Sequence, residues 1–222
     1  MAEGLRFGGF PGERQNVRLE LHRERFRALY GVSPKAVQVC TNDLSYKGFD
    51  LDLNDVLMAM NWLRLYDTEH VFDGRWGLSE ESIRNRVQTC CKAIQSLKDD
   101  KIVWIDQPNV TFIASVDGTH CGIFEPRTDP GSKWYSHKFN GPGVAYEVVI
   151  ALHSNNVISV CGPFPATIHD ITVFRGGRKD EFPKNPAAVI FKIKAGQQVI
   201  GDSGMKESLK RLPLRGKEIA SR

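Results

Sequence analysis

Two aspartates in this 222-residue chain stand in similar settings, each behind an apolar run and ahead of a glycine: Val116-Asp117-Gly118 and Ile200-Gly201-Asp202-Ser203-Gly204. A strand end holds its last side chain rigidly, and a nearby glycine lets backbone or substrate approach, so acids placed there suit catalysis. If the two strands are sheet neighbours, the carboxylates converge, and a close pair stays ionised only around a cation. Oxygen donors of this kind select a hard divalent ion, Mg²⁺ or Mn²⁺. Two such ions would activate a water and stabilise the leaving 3′ oxygen in phosphodiester cleavage. An Asp-Gly pair at a strand end is also common turn chemistry, and each aspartate alone fits that reading equally well.

The elements that must position these acids begin after Lys101. Thr111 to Val116 is a short apolar, β-branched run that reads as a buried strand ending at Asp117-Gly118. Tyr146–Leu152 and Val157–Val160 flank His153-Ser-Asn-Asn156, a turn-rich stretch in which Asn155 and Asn156 tolerate positive φ, so a hairpin is expected. Thr167 is placed as the N-cap of a helix with Asp170 three residues on, closed by Gly176-Gly177. Gln198 to Gly201 reads as a further buried strand. Strands and helix together give a mixed α/β layer arrangement over residues 106–222.

Residues 17–105 read as helical. One basic helix is expected from Leu19 to Leu29, broken at Gly31 and Pro34, and a second from Asn54 to Leu65 behind Asp52 and Asn54. A third has Ser79 as N-cap, Glu80 and Glu81 in its first turn, and Ile83, Val87, Cys90 or Cys91, Ile94 and Leu97 at helical spacing. With a loop through Gly74-Arg-Trp-Gly77, the last two helices form a candidate helix-turn-helix, with ordinary helical packing as the alternative. Arg84 and Lys92 lie off the apolar stripe and are its candidate DNA contacts. Residues 1–16, rich in glycine, are expected to be a loose arm.

Composition sets the outer bounds. Hydrophobic residues at 41% and charged residues at 25% exclude a disordered chain and a membrane span. A net charge of +4 permits a nucleic-acid partner without requiring one. The five cysteines, odd in number and without a C-x-x-C pair, suit a reducing compartment, and adjacent Cys90 and Cys91 read as core residues.

Residues 115–205 resemble the nuclease core of PIF/Harbinger-type DDE transposases: Val-Asp-Gly-Thr-His at 116–120, Pro-Ala-Thr-Ile-His-Asp at 165–170 and Gly-Asp-Ser-Gly-Met at 201–205 match in order and spacing. The segment Trp134 to Glu147 is similar to the stretch that precedes the second strand in eukaryotic members. The resemblance implies an RNase H-like fold, here an incomplete mixed sheet with flanking helices. It makes Asp117 and Asp202 catalytic metal ligands, and His169 and Asp170 a pair beside the site. It further implies a DNA substrate, with Lys133, Lys138 and Arg127 as expected phosphate contacts and His120 and His137 as weaker candidates. A nuclear location and a Myb-like DNA-binding accessory partner follow from the same likeness.

The family's third acid, a glutamate on a later helix, has no counterpart in this sequence. Glu207 and Glu218 follow Asp202, and neither stands in the expected context. The chain is therefore expected to be a truncated or decayed nuclease with little strand-transfer activity. Two alternatives stand beside it: a domesticated, non-catalytic DNA-binding or scaffold protein, and a metal phosphoesterase acting on a small substrate.

Overall fold

The computed structural model describes residues 1–10, 16–107, 109–178 and 183–201. The chain divides into two compact units, residues 1–101 and 102–222. Among the described residues it is a mixed α/β protein with nine α-helices and a five-stranded mixed sheet. No helix among them is long and apolar enough to cross a membrane.

The first unit holds α1 (Ala2–Phe7), α2 (Leu19–Tyr30), α3 (Pro34–Tyr46), α4 (Leu53–Leu65), α5 (Glu69–Trp76), α6 (Glu80–Ser96) and α7 (Lys98–Lys101). Local chemistry sets most of their ends. Gly31 closes α2 in the left-handed region at φ 73°. Asp52 and Asp55 form a reciprocal capping box at the start of α4, and the Ser79 hydroxyl accepts the Ser82 N–H at 3.3 Å to start α6. Phe26, Leu44, Leu57 and Cys90 belong to one core, while Met58, Phe72, Ile83 and Val87 form a smaller one.

The second unit holds β1 (Phe112–Gly122), β2 (Tyr135–Ser136), β3 (Gly141–Ala151), β4 (Val157–Pro165), α8 (Asp170–Phe174), α9 (Val189–Lys192) and β5 (Gln198–Ile200). β3 is antiparallel to β1 from Ala114↔Ala151 to Gly122↔Gly143, while β4 and β2 pair with different stretches of β3. β5 lies parallel to β1 on its other edge, with Ser115 paired to Ile200. Val116, Val149, Ile158, Phe174, Val189 and Val199 are among the residues of the core on one face of this sheet.

Several expectations are corrected. The loose arm is in part a helix: Leu5 of α1 is fully buried, the Tyr30 hydroxyl donates to the Gly4 carbonyl at 2.7 Å, and Phe7 stacks on Trp76 with centroids 4.4 Å apart. These apolar anchors outweigh the glycines around them. Pro34 opens a helix instead of only ending one, because its missing N–H costs nothing at the first helical position and Ser33 caps the turn. Residues 74–76 belong to α5, not to a loop, so only Gly77-Leu78-Ser79 separates α5 from α6. β1 does not stop at Asp117-Gly118 but continues to Gly122, since unbroken pairing with the long β3 overrides the turn tendency of Asp-Gly. Thr167 caps nothing: its hydroxyl donates to the Lys133 carbonyl at 2.8 Å, and α8 starts at Asp170 with His169 as an N-cap that makes no side-chain capping bond.

Leu5→Ala should lower the unfolding free energy by about 2–4 kcal/mol in urea titration, as for a buried core leucine. A change near zero would show that α1 contributes as little as a free arm.

Candidate functional site

The fold fixes which way each candidate side chain points. Neighbouring residues of a strand face opposite sides of the sheet, and directly paired residues face the same side. Gly118 pairs with Glu147, and Asp117 pairs with Val148. A Cβ on Gly118 would lie 2.1 Å from the Asp170 Oδ1, so the Asp170 carboxylate occupies the space above Gly118. Asp170 and Glu147 therefore share the Gly118 face of the sheet. Asp117, one residue away, is presented on the other.

The Asp117 face is the open one. Asp117 is exposed, and its Oδ1 accepts its neighbour's N–H, from Gly118, at 2.8 Å. Ile150 and Ile200, which pair with Ser115 on either side and share this face, are 40% and 46% exposed. The aspartate thus sits on a central strand, fixed by pairing on one edge along its length and by a main-chain donor, with room beside it. Asp202 lies outside the described residues. In sequence it stands two positions after Ile200, as Asp117 stands two after Ser115.

The Gly118 face carries a buried acid that sequence reasoning did not single out. Glu147 is 3% exposed, and neither carboxylate oxygen has a hydrogen-bond partner. Burial, and next the negative charge of Asp170, push its carboxyl up to about 7, against a smaller opposing pull from Lys192. Lys192 is held by the Ser159 hydroxyl at 2.9 Å. On the same face His120 Nδ1 lies 2.7 Å from the Ser136 hydroxyl, and desolvation, helped by Lys138, holds its imidazole below the usual range. Glu147 can hold a proton near neutrality, but from the opposite side of the sheet it cannot reach a substrate at Asp117. A signal for it existed: one acid in the apolar run Tyr146–Leu152, at a position whose alternation points inward.

The remaining candidates are dispersed. His169 is exposed at the start of α8, and Asp170 is turned toward Glu147 and His120 electrostatically, away from the Asp117 face. Arg84 is bound bidentately by Glu69, and Lys133 pairs with Asp129 at 3.2 Å, so both bring less net charge to a polyanion than their type implies. Lys138 donates to the Gly118 carbonyl, adjacent in sequence to Asp117. Lys92 is exposed and has no ion-pair partner among the described residues. His137 packs edge-on against Tyr135 with centroids 5.1 Å apart. Cys90 is fully buried, and desolvation pushes its thiol up to about 12, consistent with a packing role. Among the described residues no group of three or more His, Cys, Asp and Glu could hold a metal ion.

Comparison of the chain with protein-family models, with curated proteins and with solved structures finds no match.

The raised Glu147 carboxyl makes stability pH-dependent. Below about pH 4.5 the group is protonated in both folded and unfolded chains; above that the unfolded chain releases the proton first, so stability falls until the folded group ionises near 7. Glu147→Gln should remove this component and leave the protein roughly 3 kcal/mol more stable than wild type at pH 8, read from denaturation between pH 4 and 8. Parallel pH profiles for the two proteins would show that Glu147 is not the titrating group.

Proposed function

We propose that this chain is a transposase-derived DNA endonuclease domain of the DDE type, with an RNase H-like core in which Asp117 and Asp202 ligate divalent metal. One observation carries the reading: β1 and β5 are parallel neighbours registered at Ser115 and Ile200, and an aspartate follows each of those residues by two positions. Adjacent parallel strands run about 4.8 Å apart, and Asp202 itself lies outside the described residues. The succession of strands β1 to β4 in antiparallel pairs, two short helices and a parallel strand beside the first is in keeping with the resemblance in residues 115–205.

Asp117 fits a metal. Its side chain is exposed on the open face and supplies hard oxygen, and the Gly118 N–H on Oδ1 fixes its orientation. Bound Mg²⁺ or Mn²⁺ would supply Lewis acidity and an activated water for phosphodiester hydrolysis. The chain's own part is to hold the carboxylate on a strand without torsional freedom and to keep that face open to a duplex. Lys138, bound at Gly118, and Lys133, once released from Asp129, would meet backbone phosphates; within the helical unit Lys92 and Arg84 are separate candidates for phosphate contact. A nuclear location and a Myb-like accessory partner belong to the same proposal. Asp117 and Asp202 together supply ligands for one ion, and DNA binding is the first property expected of the site.

The second reading, a non-catalytic DNA-binding or scaffold protein, is favoured by the local bond at Asp117, whose Oδ1 accepts the Gly118 N–H, a role that needs no metal. Binding of duplex DNA measured with and without Mg²⁺ over a salt series separates the two. The proposed site predicts affinity that falls with salt, rises with Mg²⁺ and loses the Mg²⁺-dependent part in Asp117→Asn. Affinity indifferent to Mg²⁺ and to that substitution would favour the second reading, and absence of any binding would overturn both. Robust Mg²⁺-dependent nicking abolished by Asp202→Asn would show that a third ligand is present after all.

A further inference from the structure

A cleft of about 450 Å³ opens in the sheet unit, lined in part by Glu125, Gly131, Ser132, Tyr135, His137 and Thr167. Tyr135 pairs with Pro142 on β3, and Asp117 pairs with Val148 on the same strand, so Tyr135 and Asp117 share a face by alternation. Pro142 and Val148 are six residues apart, roughly 20 Å at strand rise and within one turn of a duplex, about 34 Å.

The lining has two chemical signatures. One is an aromatic platform: Tyr135 is 37% exposed and braced by the ring of His137, which meets it at 80°. A partly exposed, braced ring in a cleft is suited to stack a planar ligand. The other is an acceptor. A Cβ on Gly131 would lie 1.7 Å from the Glu125 Oε1, so the absence of a side chain at 131 is what admits the Glu125 carboxylate to that position. A carboxylate there repels phosphate and carboxylate ligands and selects one that presents N–H donors. Ser132 adds a hydroxyl, and Thr167, whose proton goes to the Lys133 carbonyl, offers an oxygen that can only accept.

A nucleobase is a planar ring that can present an edge of N–H donors. Guanine places an N1–H and an N2 amino group side by side, matching the two oxygens of a carboxylate, whereas thymine places its single N3–H between two carbonyls that the carboxylate repels. We propose that this cleft is a base subsite that takes an unpaired guanine, stacked on Tyr135 and read by Glu125. It rests on the DNA-processing reading only for the source of the base: the subsite would hold a nucleotide displaced from a duplex lying along the Asp117 face.

The test uses the whole chain with free nucleosides, which carry no phosphate and need no metal. Saturation-transfer NMR should show 2′-deoxyguanosine binding in the millimolar range and thymidine at least severalfold more weakly. Glu125→Gln, an exposed and near-isosteric change, should abolish that preference, and Tyr135→Ala should weaken both nucleosides about tenfold while thermal melting stays unchanged. Equal binding of the two nucleosides by the wild type, or a preference that survives Glu125→Gln, would overturn the proposal. Because the readout involves neither DNA nor Mg²⁺, a failed DNA-binding assay leaves the subsite standing, and loss of nucleoside discrimination leaves the metal site standing.

Discussion

β1 is paired on both edges, antiparallel to β3 along nine residues of register and parallel to β5 over a shorter stretch. That position in the middle of the sheet denies the strand any freedom to slip, because a shift by one residue would turn Val116 out of the core and Asp117 into it. The alternation of side chains along β1 then assigns every candidate residue to one face or the other. Asp117 is delivered to the open face, with its carboxylate steadied by the Gly118 N–H. Gly118 is delivered to the covered face, where the carboxylate of Asp170 fills the space a side chain would take.

The two faces have different electrostatics. On the covered face an acid without hydrogen-bond partners is buried beside a second acid, an arrangement that favours the protonated form of Glu147 and disfavours any further negative charge. On the open face the acid is solvated and keeps room for a ligand. Gly118 lies between them, and a side chain there would displace the Asp170 carboxylate from its present position. Asp170, in this geometry, lies over Gly118 and acts on Glu147, on the face opposite Asp117.

Much of the helical unit was legible because its signals are local. Asp52 and Ser79 mark their helices by side-chain caps, and Gly31 marks an end by its left-handed backbone. Some of what escaped was set by contacts distant in sequence, although the helix behind Ser33-Pro34 carried a local cap that read only as a break. The helix at Ala2–Phe7 depends on Leu5, Gly4 and Phe7 meeting α2 and Trp76, which no window of a few residues reveals. The strand through Asp117-Gly118 depends on a partner whose extent to Gly141 is hidden by the glycines and proline there. Of the candidate site, the apolar runs and the acids behind them singled out Asp117, while the adjacency of its strand to that of Ile200 stood only as a condition and is a result of the pairing. The facing of Asp170 away from Asp117, and the burial of Glu147, follow from register, which single-chain periodicity does not supply.

The parallel registration of β1 with β5 is functional if it creates one cation site from two aspartates, and Mn²⁺ is the direct probe. In an amide NMR spectrum of the whole chain without DNA, substoichiometric Mn²⁺ should broaden the signals of Asp117, Gly118, Gly201 and Asp202 together. Asp117→Asn should abolish the broadening at Gly201 and Asp202 as well as at its own position. Broadening at one aspartate that is indifferent to substitution of the other, or broadening centred on Glu147 and Asp170, would contradict a shared site on the open face.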